Sequence, residues 1–234
     1  MLYYDLHIHT ALSPCASDDM TPNNIVNIAI LKGLDVIGIT DHNSAKNVEV
    51  VYNLGTKKGL IVVPGIEVQT KEEVHILCYF YSVEECIKFS EFIDKNMIKI
   101  KNQSTIFGNQ LVMNEEDNVI TEVDYSLLAS TNFTVEEVFD QMEGKGAAVL
   151  AHLDRGSYSV ISNLGFIPDI KNLKTIELSK AIRTEIFLKS YPEYRRYRIV
   201  KSSDAHDLGY ISEREEFLPC KSTLKSVVDW LCGY

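Results

Sequence analysis

The chain has 234 residues, of which 45% are hydrophobic, and a formal net charge of −10. This length can bury one sizeable core, and we expect a single domain over residues 1–234. No run approaches the ~18 apolar residues that cross a bilayer, and the first residues lack the basic flank and apolar stretch of a signal peptide. No membrane association is therefore expected. The acidic charge argues against stable binding of double-stranded nucleic acid, which needs a basic surface.

The number and spacing of the cysteines bear on the cellular compartment of the protein. The chain has five, an odd number, and none belongs to a Cys-x-x-Cys pair. A disulfide framework is therefore not expected, and a reducing, cytoplasmic location is predicted.

Short apolar runs alternate with amphipathic, helix-like stretches, a pattern typical of a parallel sheet wrapped by helices. Several of these runs are apolar throughout, as expected of strands covered on both faces. The runs predict seven strands, at residues 3–8, 35–40, 60–67, 74–80, 147–152, 174–178 and 198–203.

Start and stop signals delimit the helices between these strands. Thr21, which precedes a proline, predicts an N-cap with proline at the first helical position. Ser82 and Thr134 each lie three residues before a glutamate, which predicts capping boxes. Gly33 and Gly59 lie where the first two helices should end.

A polar segment at residues 102–132 interrupts the alternation. Within it, GNQLVMNEEDNVI predicts a small hairpin that turns at the acidic residues 115–118. We interpret the segment as an insertion over one face of the fold. It could serve as a lid, or it could be a surface elaboration without a role.

Histidines and carboxylates concentrate near the ends of the predicted strands. A single histidine in such a place is usually a structural residue with satisfied hydrogen bonds. Six independent structural histidines, however, need not all fall at one end of a sheet, so the set favours a metal site. Its members are His7, His9, His42, His75, His152 and His206, with Glu67 and Asp204.

The spacing of these residues supports metal binding. Residues i and i+2 of a strand point to the same face, so His7 and His9 can reach one ion, and Asp204 and His206 repeat that spacing. The C-terminal strand ends of a β/α barrel form one face, where such residues would converge. Imidazole and carboxylate together suit zinc, manganese or iron.

The motifs DLHIHT, ITDHN, GIEV and SDAH, with the strands that carry His75 and His152, resemble the polymerase-and-histidinol-phosphatase (PHP) superfamily. The resemblance runs in order from Asp5 to His206. It implies an α/β fold, a distorted seven-stranded (β/α)7 TIM-like barrel, with the 102–132 segment inserted. It also implies a centre of two or three divalent ions (zinc, manganese or iron) and phosphoester hydrolysis.

Carried over residue by residue, the resemblance implies three ion positions. The first ion would take His7, His9, Glu67 and Asp204. The second would share Glu67 and add His75 and His152. The third would take His42, His206 and an acidic residue from the loop after the first strand.

That loop departs from the common family pattern. Many relatives have a short Ser-Asp-Gly there, whereas this chain has SPCASDDMTP. Asp18 follows a serine and best matches the family aspartate, so it is the predicted third-site ligand. Asp19 is close, and the Cys15 thiolate could itself bind a soft metal.

The predicted reaction follows from this set. A metal-bound hydroxide would attack the phosphoester, with Glu67, Asp204 and His206 as catalytic residues. The substrate would be a small phosphorylated metabolite, a nucleotide or the end of a short oligonucleotide. Basic residues that could bind its phosphate are Arg155, Lys180 and Arg183.

Weaker assignments and alternative functions stay open at this point. Tyr158 could contact the substrate, and Asp5 and Asp41 could each orient a ligand histidine or form a salt bridge or cap. The alternatives are an amidohydrolase-like metal hydrolase and a noncatalytic, metal-binding accessory domain.

Overall fold

The computed structural model describes residues 1–234 and contains one large sheet that curls into a half-barrel. All seven predicted strands are present, with an additional hairpin and one further short strand. In chain order the strands are β1 (Leu2–Ile8), β2 (Val36–Ile39), β3 (Ile61–Gln69), β4 (His75–Phe80), β5 (Leu111–Met113), β6 (Val119–Glu122), β7 (Gly146–Leu150), β8 (Thr175–Ser179), β9 (Arg198–Ser202) and β10 (Phe217–Leu218).

The large sheet has eight strands in the order β10-β1-β2-β3-β4-β7-β8-β9, so the predicted count of seven is wrong. The eighth, β10, pairs antiparallel with the start of β1, Leu2 opposite Leu218 and Tyr3 opposite Phe217. Two residues are too few to give a periodic signal, and this strand exists only because β1 leaves its edge open for pairing.

The sheet is mixed rather than wholly parallel. Strand β4 runs antiparallel to both β3 and β7, whereas β1–β2, β2–β3, β7–β8 and β8–β9 pair in parallel. Only five residues, 70–74, join β3 to β4, and a connection this short permits an antiparallel pair but no helical crossover. The expectation of a parallel sheet is therefore wrong for β4.

The two edges of the curled sheet approach each other beside the ends of β1 and β9. Ile8 forms a parallel bridge with Ala205. The His9 amide donates to the Ala205 carbonyl at 3.0 Å, and the Ala205 amide donates to the His7 carbonyl at 3.2 Å. The chain segments that follow the first and the last long strands are thereby held side by side.

Eight α-helices connect the strands, and their ends follow the predicted signals. The Thr21 hydroxyl accepts from the Asn24 amide, and the predicted capping box is complete at Thr134. At Ser82 the hydroxyl cap forms without the reciprocal bond. The helices are α1 (Pro22–Leu31), α2 (Val48–Lys57), α3 (Val83–Lys95), α4 (Ser104–Phe107), α5 (Val135–Met142), α6 (Val160–Leu164), α7 (Thr184–Ser190) and α8 (Leu224–Leu231).

Alternation along the strands divides the buried apolar residues into two clusters. In β4, Ile76, Cys78 and Phe80 belong to a cluster of 40 buried residues that includes side chains of most helices. Leu77 and Tyr79 belong to a cluster of 15 on the opposite face, which α8 also joins. The inner face of the curled sheet is therefore apolar at one end, which leaves its other end for polar side chains.

A β-bulge in β1 changes which residues face inward. Tyr4 and Leu6 belong to the smaller cluster and Ile8 to the larger one, although all three are even-numbered. The register between β1 and β2 shifts between Asp5 and Ile8, which accounts for this reversal. His7 on the far side of the shift therefore points inward.

The segment at residues 102–132 contains the predicted hairpin. Strands β5 and β6 pair antiparallel, and the turn between them includes the predicted acidic residues. The hairpin is tied to α1, where the Asp117 carboxylate accepts from the Thr21 hydroxyl and the Asn23 amide. The Asn47 side chain binds the backbone of Leu111 and Met113.

None of the helices combines the length and apolar character that crossing a membrane would require.

Candidate metal centre

The Glu67 carboxylate lies at the centre of a buried histidine cluster. It is on β3, it is 1% exposed, and its two oxygens lie 2.9–3.3 Å from nitrogens of five histidines. Those histidines are His7, His9, His42, His75 and His152. A single carboxylate is thus positioned to share its two oxygens among several nitrogen donors.

Asp204 supplies a second carboxylate to the same cluster. Its Oδ1 lies 3.2 Å from His7 Nε2 and 3.1 Å from His9 Nε2, and these two nitrogens are 3.1 Å apart. Asp204 has a φ of +52°, a left-handed conformation that is uncommon for residues other than glycine. The sharp change of direction after β9 aims this carboxylate at the end of β1.

Two further histidines reach the cluster by features that the sequence does not reveal. His75 is the first residue of β4, and the antiparallel direction of β4 brings its beginning beside the C-terminal ends of the parallel strands. His152 follows β7 with a φ of +31°. Its Nε2 lies 3.3 Å from Glu67 Oε1.

Hydrogen bonds on the ring nitrogens that face away from Glu67 fix the orientations of His7 and His75. His7 Nδ1 lies 3.0 Å from Glu177 Oε2, and His75 Nε2 lies 3.2 Å from Gln69 Oε1. Each acceptor oxygen calls for a proton on the nitrogen that it faces, so the other ring nitrogen is left free toward Glu67. The tautomers inferred in this way present unprotonated nitrogens to the centre.

A short relay through Ser13 orients His9. The Ser13 hydroxyl donates to Asp41 Oδ1 at 2.7 Å and therefore accepts from His9 Nδ1 at 2.9 Å. His9 Nε2 is then the free nitrogen, facing Glu67 and Asp204. The prediction that Asp41 could orient a ligand histidine thus describes an indirect contact. Asp5 instead accepts from the Ser203 and Ser212 amides and braces the backbone after β9.

The donor atoms fall into three groups whose members lie within 4.8 Å of one another. The groups are His7, His9, Glu67 and Asp204; His42, Glu67 and His75; and His9, His42 and His206. Three buried atoms that face the cluster make no hydrogen bond of good geometry, although a ring nitrogen or carboxylate oxygen lies 3.0–3.2 Å away: His42 Nδ1, Glu67 Oε2 and Asp204 Oδ1. Unsatisfied buried donors and acceptors are costly, and cations bound between these groups would satisfy them. The residues therefore fit a cluster of divalent ions.

The charges in the cluster are strongly coupled. Burial alone would raise the pKa of the Glu67 carboxyl, but the imidazoles of His75 and His7 hold it well below its usual range. Burial alone would lower the pKa of His7, yet Asp204, Glu177 and Glu67 raise it well above the ordinary value. For His75 burial dominates and lowers the pKa to about 4. Without cations, protons on some of these imidazoles compensate the buried carboxylates.

The loop after β1 differs from the sequence-based assignment. Asp18 is exposed, its Oδ2 accepts from Asn109 Nδ2 at 2.8 Å, and it belongs to none of the three groups. Asp19 is exposed as well. Cys15 also belongs to none of the three groups, but it lines the cavity beside the cluster. Desolvation would raise the pKa of its thiol, but His42 and His206 lower it to about 5.

A cavity of about 290 Å³ opens over the cluster. Leu128 of the inserted segment contributes to its wall, which is what the lid interpretation of that segment requires. Arg155 also lines it and contacts Asp204 Oδ2, with 43% of its side chain exposed. Tyr158 stacks on His75 with ring centroids 4.7 Å apart.

Lys180 and Arg183 do not line this cavity. Lys180 lies 3.9 Å from Glu215, and the exposed Arg183 side chain lies 3.8 Å from Glu185. Of the three predicted phosphate-binding residues, the structure therefore brings only Arg155 to the cluster.

Three supporting residues were not identified from the sequence: Glu177, Ser13 and Gln69. Glu177 carried the clearest signal, because it is a carboxylate inside the apolar strand run TIEL. Gln69 lies opposite His75 in the antiparallel β3–β4 pair, so finding it required the strand direction. Ser13 lies in a loop whose course the sequence does not reveal.

The curled α/β sheet, with its histidines and carboxylates gathered at one end, defines a metal-binding α/β protein. The family model described as PHP domain matches residues 5–155. The chain therefore belongs to the PHP domain family, which confirms the resemblance seen in the sequence.

Individual relatives are more distant. An uncharacterized protein of Methanocaldococcus jannaschii is 36% identical over 78 residues, which cover 29% of this chain and 44% of that protein. A lesion-specific endonuclease from Pyrococcus furiosus has a similar fold, with a TM-score of 0.68 and 18% identity. That match covers 99% of this chain and 56% of the endonuclease, so this chain spans about half the length of these two relatives.

Two further structures match over most of both chains. A provisionally assigned metal-dependent phosphoesterase from Bifidobacterium adolescentis gives a TM-score of 0.63 at 17% identity, covering 88% of each chain. An amidohydrolase from Chromobacterium violaceum, solved with sulfate and without metal, gives 0.62 at 17% identity, covering 93% of this chain and 92% of that one. At these identities the likeness concerns the fold.

Proposed function

We propose that this protein is a metal-dependent phosphoesterase that hydrolyses a phosphate monoester or diester. The observation that carries the proposal is the buried Glu67 carboxylate, which lies within 3.3 Å of five histidines beside Asp204. So many imidazole nitrogens converging on carboxylates suit zinc, manganese or iron. Members of the PHP domain family are metal-dependent hydrolases, which supports the same reading.

The chain's own residues would divide the work between holding ions and binding substrate. The proposed ligands are His7, His9, His42, Glu67, His75, His152, Asp204 and His206. Bound divalent ions would supply Lewis acidity toward the phosphate and lower the pKa of a water molecule. We propose Glu67 as a bridge between two ions, since both of its oxygens face histidines.

His206 and Arg155 are the proposed residues nearest to the substrate. His206 is the most exposed of the histidines, with 27% of its side chain accessible. Arg155 has a partly exposed guanidinium that already contacts a carboxylate, and this fork geometry also suits a phosphate. Tyr158, exposed at the cavity and stacked on His75, could contact the remainder of the substrate.

The size of the cavity bears on the substrate class. At about 290 Å³ it is at the lower limit of ligand clefts, which span roughly 300–1,000 Å³. We therefore propose a small phosphorylated metabolite, a nucleotide or an oligonucleotide end as substrate. The similarity to a lesion-specific endonuclease favours including nucleic acid among the candidate substrates. The net charge of −10, in contrast, disfavours stable binding of a nucleic-acid duplex by this chain. Five free cysteines agree with the proposed cytoplasmic location.

The test begins with protein that a chelator has stripped of metal, as verified by elemental analysis. Mn²⁺, Zn²⁺ or Fe²⁺ would be added separately, and hydrolysis of a phosphate monoester, a phosphate diester and an amide would be compared. Restored cleavage of either phosphate ester supports the proposal. Cleavage of the amide alone would identify an amidohydrolase instead. Ion binding without any hydrolysis, across a panel of phosphorylated metabolites and nucleotides, would indicate an accessory domain.

A further inference from the structure

The loop after β1 is attached to the backbone of His206. The Ser17 amide donates to the His206 carbonyl at 2.8 Å, and the Ala16 amide donates to the Ser13 carbonyl at 2.9 Å. These two bonds flank the position of Cys15. The loop therefore holds Cys15 next to the histidines of the third group, and not at an independent surface position.

The same loop directs its carboxylates elsewhere. Asp18 and Asp19 are exposed, and neither lines the cavity over the cluster. Asp18 bonds to Asn109 of the inserted segment at 2.8 Å. Cys15 is the residue of the loop that lines the cavity, together with His42 and His206.

The third group lacks an anionic ligand of its own. It consists of His9, His42 and His206, whose nitrogens lie within 4.8 Å of one another. His42 is buried, and its Nδ1 faces Glu67 Oε2 at 3.0 Å, which leaves its Nε2 for an ion at this position. Because His9 Nε2 also faces Glu67 and Asp204, a cation here would have nitrogen donors of its own from His42 and His206 and would need further ligands. Tetrahedral zinc sites commonly combine nitrogen and sulfur.

We propose that the Cys15 thiolate, in place of Asp18, supplies the anionic ligand of the ion position at His42 and His206. On binding, the sulfur–metal bond forms and the proton shared by the Cys15 thiol and the neighbouring His42 imidazole leaves to solvent. A soft thiolate favours zinc over manganese, so this position would differ in metal preference from the carboxylate-rich positions at Glu67. The inference deepens the proposed function, because it concerns the same metal centre.

Cobalt provides a spectroscopic test. Metal-free wild-type protein would be titrated with Co²⁺, and thiolate-to-cobalt charge transfer would be followed in the near ultraviolet. We expect the band in wild type and in Asp18→Asn, and its loss in Cys15→Ser. Cys220→Ser is the matched control, because Cys220 is a free cysteine that does not line the cavity.

Metal content provides the second readout. By elemental analysis after zinc loading, Cys15→Ser should retain about one ion fewer per chain than wild type, because the proposed site loses its anionic ligand. Cys15→Asp should restore that ion without the charge-transfer band. Circular dichroism would check the folding of each variant.

Three results would overturn the assignment. They are an unchanged band in Cys15→Ser, no band in fully cobalt-loaded wild type, and loss of the ion in Asp18→Asn but not in Cys15→Ser. The proposed function fails separately. If the cobalt–thiolate band appears but no phosphate ester is hydrolysed, Cys15 remains the proposed ligand and the proposed activity is refuted. If a chelator abolishes hydrolysis but no cobalt–thiolate band appears, the proposed activity stands and Cys15 is not a ligand.

Discussion

His7 Nδ1 lies 3.0 Å from Oε2 of Glu177, and both side chains are almost wholly buried. The same carboxylate oxygen also accepts from the His152 amide at 3.1 Å. Glu177 is on β8, whereas His7 is on β1 and His152 follows the end of β7. The Glu177 carboxylate thus orients the His7 ring on one side of the cluster and the His152 backbone on the other.

Replacement of Glu177 should therefore weaken the metal centre without removing a ligand. In Glu177→Gln we expect metal affinity to fall by about 10- to 100-fold, the usual effect of losing a carboxylate behind a ligand histidine. Competition against a chelating dye would measure the affinity. Glu136→Gln, on the exposed face of α5, is the control. Equal affinities in the two variants would show that Glu177 is only a structural residue.

Replacement of Glu67 should cost more than replacement of a loop aspartate. Glu67→Gln keeps the volume and removes the charge from the proposed bridge, so both neighbouring ions should be bound more weakly and hydrolysis should be largely lost. Asp18→Asn and Asp19→Asn, both at exposed positions, should keep near-normal turnover. Turnover and metal content would be measured for all three. Two retained ions and normal turnover in Glu67→Gln would remove the bridge assignment.

Replacement of Arg155 should affect substrate binding more than metal content. Arg155→Gln removes the guanidinium that we propose to bind phosphate, so we expect KM for phosphate esters to rise by about tenfold or more, since a charged hydrogen bond contributes about 1.5–3 kcal/mol. Elemental analysis should find the metal content unchanged. Arg183→Gln, remote from the cavity, should leave KM as in wild type. A rise in KM with Arg183→Gln alone would reverse the two assignments.

The pH dependence of stability should change sign when metal binds. His7 and His9 have raised pKa values in the metal-free fold, because the Asp204 and Glu67 carboxylates favour their protonated forms despite burial. Stability from a raised pKa is fully present below the unfolded value, about 6.5, and is lost as pH rises through the folded pKa. The Tm of metal-free protein should therefore fall as pH rises above about 6.5.

With Zn²⁺ present the trend should reverse over the same range. Ions compete with protons for these nitrogens, so their affinity and the stabilisation that they provide should increase with pH. Thermal unfolding across pH, with and without Zn²⁺, would measure both slopes. Parallel slopes would mean that the ions do not bind to titrating histidines.

Local sequence patterns determined the positions of the strands and the chemical types of the proposed ligands. Each of the seven predicted strands is present, because apolar runs between helix caps must be buried on the sheet whatever its topology. The pairing of His7 with His9 also follows from local geometry, since two residues along a strand return to the same face. The hairpin in the insertion has the same local origin.

The tertiary structure decided those features of the site that depend on hydrogen bonds between residues far apart in the chain. The direction of β4, which brings His75 to the cluster, is set by pairing with both β3 and β7. The positive φ of His152 and the Ser17–His206 bond, which presents Cys15 and not Asp18, depend on residues far apart in the chain. Strand and loop residues carry local preferences, but which partner satisfies each backbone and carboxylate group is fixed only when the whole sheet closes around Glu67.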